Sequence, residues 1–338
     1  MFTAWFDSSV RLTGRWSRLT DDKSDPHIFV HALKDECVTT APGNCFEVAF
    51  QGELITLHFN TGYLGYPAPH LWIQVDGGAR IEAPVDRYLK ICAAGKGEHK
   101  VKVVYKGGSE VLPRWYQSLM GCVSFLGYEA EAPGTLEPDC RKIVEFVGDS
   151  ITEGVLVDTD YAKMPASSIG QFNRVYEDDS LATYGSICAE KLNMRAMFQA
   201  YGAVGLTREG NSSVPRAGLI YPYVFDHVPY TGEKPDYVVI NHGANDRGAG
   251  AVEYIMRYRE LIDLIHRTNP NAQIICLGAF CGAFDTELDV LVRELKASYV
   301  HFISTKGWLP PDPLHPTRAS HKLAGEKLAE IMKREFDL

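Results

Sequence analysis

The sequence predicts an all-β sandwich of jelly-roll type followed by an α/β domain, in which a parallel sheet is covered by helices on both faces to give three layers. Three observations predict it. Residues 45–130 alternate apolar and polar side chains in short runs broken by Gly, Pro, Asn and Asp, the period-two signature of antiparallel strands. Residues 129–139 are rich in proline and acid, have little to bury, and read as a linker. Beyond them, short apolar runs alternate with stretches of helical length and period, which is the rhythm of a parallel sheet. At 338 residues the chain exceeds the usual single domain, and domains of 1–136 and 137–338 are each long enough to bury a core.

In order, the strands expected in the first domain are residues 46–50, 54–59, 71–75, 88–92, 101–105 and 123–128, with Asp76-Gly77-Gly78 as a tight turn. In the second domain, strands are expected at 143–147, 196–200, 237–241, 273–277 and 300–303. Helices are expected at 181–192, 252–267, 288–298 and 318–334. The segment 158–180, with Tyr161, Phe172 and Tyr176, is long for a connection inside an α/β unit and reads either as a wall of a site or as a structural excursion.

Composition narrows the function classes. A net charge of −9 with no run of Lys or Arg gives nothing for a phosphate backbone to bind, so no nucleic-acid partner is expected. Eight scattered cysteines contain no C-x-x-C pair, and no H-E-x-x-H or carboxylate-rich set is present, so no metal is expected. No phosphate-binding glycine loop or dinucleotide fingerprint is found, and no cofactor is expected. The start of the chain lacks a basic segment followed by an apolar one, and no stretch reaches membrane-spanning length. A cytoplasmic location with no membrane partner is the expectation.

In an open α/β sheet, ligands bind beyond the carboxyl ends of the strands, so polar clusters just after strands carry weight. Gly148-Asp149-Ser150-Ile151-Thr152-Glu153-Gly154 follows the first expected strand and places a serine at its exit; taken alone, it reads first as a turn that caps a helix. Gly202-Ala203-Val204-Gly205 follows the second, where small residues let backbone N–H groups approach a substrate oxygen. Gly243-Ala244-Asn245-Asp246 follows the third and offers a side-chain amide to a developing oxyanion. Asp312-Pro313-Leu314-His315-Pro316 precedes the last helix, and its three-residue step lets one loop present a histidine base and a carboxylate to orient it.

These clusters, in the order Ser, Gly, Asn, Asp/His, resemble the sequence blocks of the SGNH (GDSL-like) hydrolase superfamily over residues 141–338. The resemblance implies a flavodoxin-like sheet and a catalytic triad of Ser150, His315 and Asp312. It also implies an oxyanion hole from the Ser150 and Gly205 N–H groups and the Asn245 side chain, with Gly202 the alternative glycine. A jelly roll ahead of such a domain is similar to carbohydrate esterase family 2, which implies removal of short acyl groups, chiefly acetyl, from a small-molecule or oligosaccharide ester. Trp308, four residues before Asp312, is a candidate platform for a sugar ring, and Asp149 a candidate substrate contact. The competing readings are an acyltransferase that delivers the acyl group to a sugar and a carbohydrate-binding protein whose esterase half is inactive.

Overall fold

The structure, a computed structural model, describes residues 1–19, 35–116, 119–160, 174–310 and 313–338. Two antiparallel sheets form the first half. One runs Ser17–Leu19, Glu36–Thr39, Val123–Glu129, Leu54–Phe59, Tyr88–Cys92, with Phe2–Ala4 also on Val123–Glu129. The other runs Ala132–Pro133, Cys45–Gln51, Glu98–Gly107, His70–Val75, Arg80–Pro84, with Val10–Thr13 also on Cys45–Gln51. Phe46, Val48 and Phe50 alternate along one strand and meet Leu57, Phe59 and Phe125 from the facing sheet, with the Phe46 and Phe125 rings stacked 4.0 Å apart. Each such side chain, fully buried, contributes about 1.5–3 kcal/mol of burial free energy.

All six expected strands are present: two match their expected bounds, three run one or two residues longer, and Glu98–Gly107 runs five longer. The added strands are short or lack alternation: Glu36–Thr39 is buried at every position, and Arg80–Pro84 is an exposed edge. The expected linker begins inside the sandwich, because Ala132 and Pro133 pair with Gln51 and Phe50.

In the second half five parallel strands lie in the order Arg195–Ala200, Ile143–Gly148, Tyr237–Asn241, Gln273–Leu277, Val300–Ile303, the flavodoxin-like order in which the second strand in sequence lies outside the first. The expected helix at 181–192 is divided. Ser180–Ala182 is a 3-10 turn, and Thr183 then caps Tyr184–Lys191 by accepting the Ser186 N–H. The helix expected at 288–298 is Asp285–Leu295 instead, stopped by Lys296 in the left-handed region. Long helices Ala251–Thr268 and Arg318–Phe336 complete the layers.

The two halves share buried polar contacts. The Asn44 amide donates to the Phe198 carbonyl at 3.2 Å and accepts the Phe198 N–H at 3.1 Å, so a side chain imitates a neighbouring strand along the open edge of the parallel sheet. Arg15 reaches Glu145 at 2.6 Å, both essentially buried, and Glu145 also accepts from the Tyr221 hydroxyl at 2.8 Å. Among the described residues no helix is long and apolar enough to cross a membrane.

Candidate active site

Gly148 pairs with Ala200 on one side and Asn241 on the other, so three strands end together and the segments after them converge. Gly148 has no room for a side chain: a Cβ there would lie 2.0 Å from Thr152 Oγ1, which pairs with the Tyr184 hydroxyl at 2.8 Å. Asp149 caps the one-turn helix Ser150–Glu153 by accepting the Ile151 N–H at 2.9 Å. Gly154 then turns the chain with φ of +92°, a conformation costly for any other residue.

Ser150 is thus the first residue of a helix, where backbone N–H groups have no intrahelical acceptor. Its Oγ lies 2.8 Å from His315 Nε2, the distance at which a hydroxyl donates to a neutral imidazole. The His315 segment is tied to the chain that follows the serine helix. Arg318 donates its N–H to the Val157 carbonyl at 3.1 Å, and its guanidinium pairs with Asp158 at 2.6 Å and Asp179 at 2.7 Å. Asp312 lies outside the described residues, as do Tyr161 and Phe172. The other C-terminal histidine, His321, is buried, accepts the Tyr184 N–H at 3.1 Å, and is pushed down to about 3 by burial, so it stays neutral inside the fold.

Asn245 reaches the same edge. Its Nδ2 donates to Asp149 Oδ2 and to the Val204 carbonyl, each at 3.1 Å. The two candidate glycines both have acceptors within the protein. The Gly205 N–H donates to the Arg208 carbonyl at 3.2 Å, and the Gly202 N–H faces the Glu153 carboxylate. Tyr201 and Val204 donate to the Gly148 and Tyr201 carbonyls, and Leu206 and Thr207 to Asp246. That leaves Ala203, half-buried and held at φ of +61°, as the residue of this turn whose N–H is not committed to those acceptors. An alanine in the left-handed region costs roughly 1–2 kcal/mol, a strain the surrounding turn must hold.

Asp149 also departs from expectation. It is buried and holds Asn245 rather than facing a substrate. Burial pushes its carboxyl up to about 7, with Asp246, Glu110 and Glu153 adding to the rise against the Ile151 N–H. The folded chain therefore keeps a proton that the unfolded chain releases from about pH 4 upward, so this group's contribution to stability falls as pH rises through about 7. At about 1.4 kcal/mol per unit the loss reaches at most about 4 kcal/mol by pH 8. Asp149→Asn should flatten the decline of Tm between pH 5 and pH 8; a parallel decline in the two proteins would refute the raised carboxyl.

Trp308 is half-buried against Phe280, whose ring is 6.5 Å away, and the Lys327 ammonium lies 6.0 Å over its face. Nothing in these contacts brings it to Ser150. Two features beside the site were not anticipated: Ala203 in the left-handed region, and the buried pair Arg114 and Glu153, 2.7 Å apart. The Gly-Ala-Val-Gly run is the turn that follows Arg195–Ala200 at this edge of the sheet.

The chain is similar along its length to known proteins. The cellulase/esterase CelE of Acetivibrio thermocellus is 30% identical across 94% of this chain, which spans 40% of the length of that relative. A family two carbohydrate esterase from Clostridium thermocellum, solved in complex with cellohexaose, is 22% identical and superposes with a TM-score of 0.74, covering 97% of this chain and 99% of that one. An acetyl xylan esterase from the rumen bacterium Butyrivibrio proteoclasticus is 16% identical and superposes with a TM-score of 0.72, covering 100% and 99%. These likenesses extend over both halves and share the sandwich-plus-parallel-sheet fold. The model of the GDSL-like lipase/acylhydrolase family matches residues 146–323, from the strand before Ser150 to the helix after His315. With more than half of its length in that match, the chain belongs to the GDSL-like lipase/acylhydrolase family.

Proposed function

We propose that this member of an ester hydrolase family removes short acyl groups, chiefly acetyl, from carbohydrate esters. Ser150 is the nucleophile, His315 takes its proton and returns it to the leaving alcohol, and Asp312 orients His315. The observation that carries the reading is the 2.8 Å contact between Ser150 Oγ and His315 Nε2 at the carboxyl edge of the sheet. The tetrahedral oxyanion is held by the Ser150 N–H, the Ala203 N–H in place of Gly205, and Asn245 Nδ2. Asn245 would exchange its bond to the Val204 carbonyl for the oxyanion and keep Asp149 as its anchor. Water then attacks the acyl-enzyme on the same path, with His315 as base.

The carbohydrate and acetyl parts are supported by what the similar proteins are: a cellulase/esterase, a carbohydrate esterase bound to cellohexaose, and an acetyl xylan esterase. The test is a series of p-nitrophenyl acetate, butyrate and octanoate, followed by acetylated sugars with free acetate measured. Acetate is expected to be the fastest leaving acyl group, and free acetate the product. A preference for octanoate would overturn the acetyl assignment, and transfer to an added sugar without free acetate would overturn hydrolysis.

A further inference from the structure

A loop of the all-β half enters the site from behind. Arg114 is buried, although it lies on a connection rather than a strand, and its guanidinium meets the Glu153 carboxylate at 2.7 Å and lies 5.5 Å from the centre of the Tyr201 ring. Glu153 closes the helix that begins at Ser150, and the Gly202 N–H faces the same carboxylate. From the same loop comes Glu110, also buried, packed so closely on Gly202 that a Cβ there would fall 1.8 Å from its Oε2. Trp115 continues the contact, with its ring edge-on to Tyr201 at 6.0 Å. Glu153, held by Arg114, and Glu110 thus face Gly202 from two directions, and the next residue is Ala203.

We propose that Arg114 is a positioning residue of the catalytic centre, supplied by the sandwich: through Glu153 it fixes the Ser150 helix and the Tyr201–Gly205 turn in one mutual register. The proposal rests on the reading of Ser150 as nucleophile and of the Ala203 N–H as oxyanion donor. Ion-pair energetics alone do not explain the arrangement, because a buried pair recovers little more than the cost of its own desolvation. What it supplies is geometry. A guanidinium held between the Glu153 carboxylate of the helix and the Tyr201 ring of the turn limits the small displacement that would carry an N–H out of reach of the oxyanion, and misplacement by about 1 Å is enough to cost on the order of 100-fold in rate.

The test compares wild type, Arg114→Met, the double variant Arg114→Met/Glu153→Gln, and Ser150→Ala, on p-nitrophenyl acetate, with Tm measured for each. Arg114→Met leaves a bare buried carboxylate and is expected to lose stability. The double variant removes both charges and is expected to recover most of that Tm while kcat stays roughly 10- to 100-fold below wild type, with KM changed much less. A double variant that regains both Tm and kcat would overturn the proposal and leave the pair as a fold contact. If Ser150→Ala keeps wild-type activity, the underlying reading of the site falls instead, so the two failures are told apart in one set of measurements.

Discussion

Ser150→Ala is expected to lower kcat on p-nitrophenyl acetate by a factor on the order of 10⁴–10⁶ while the protein remains folded. The size follows from what is removed. The Ser150 hydroxyl is the atom that would form the acyl bond, and it is the group 2.8 Å from His315 Nε2, so its loss removes the nucleophile and the base's substrate together. The fold should not suffer. Ser150 is a helix-start residue whose neighbours carry the local structure: Asp149 makes the cap and Thr152 makes the bond to Tyr184. The check is steady-state kinetics beside a thermal melt. Turnover within about ten-fold of wild type in a protein with an unchanged Tm would place the nucleophile elsewhere.

Asn245→Ala is the second large effect, expected at about 10²–10³ in kcat, the usual consequence of deleting one oxyanion donor. It should be smaller than the loss from Ser150, because two backbone N–H groups remain, and the nucleophile and its base are untouched. A second signature separates a donor from a mere structural amide. Asn245 donates to Asp149, so its removal takes a hydrogen-bond donor from a carboxylate that burial already holds near pH 7. Loss of a donor to the ionised form raises a carboxyl further, so the stability decline, which runs from about pH 4 to about 7, should extend to higher pH in the variant. Unchanged kcat with altered melting would leave Asn245 as a brace only.

Much of this was legible in the sequence where side-chain pattern and position say the same thing. Phe46, Val48 and Phe50 alternate, and the strand is where the alternation put it. Ser150, Asn245 and His315 were legible because each sits where the chain leaves a strand or enters the last helix, at the edge a parallel sheet reserves for ligands. Short strands such as Phe2–Ala4 and Ser17–Leu19 were not, since three residues hold too little period to count. Thr183 hid a cap inside what looked like one helix, because its role depends on the Ser186 N–H above it.

The residues that escaped notice are proposed to act through backbone or through distant partners. The role proposed for Ala203 rests on its N–H and its φ, and neither is written in the alanine side chain; only the acceptors of its neighbours single it out. Arg114 carries no local mark, since its partner Glu153 belongs to the other half of the molecule. Gly205 was the natural reading of a glycine beside a serine nucleophile, yet what a Cβ would meet at that position is Asp246 Oδ1 at 2.6 Å. That glycine makes room for a buried carboxylate that organises the turn, and its own N–H is spent on Arg208.

The Asn44 amide laid against Phe198 bears on how such a protein can be inherited. A parallel sheet completed by a side chain from another part of the chain is unfinished without it, and exposes the outer row of Arg195–Ala200 to any passing strand. The same cut would strand Glu145 without Arg15. Recombination that exchanged the sandwich for another β-module would have to reproduce Asn44 and Arg15 at their places, or yield a sticky, destabilised remnant. Asn44 and Arg15 thus make each half part of the other's finished surface, so that cutting the chain between the halves is expected to destabilise the α/β half.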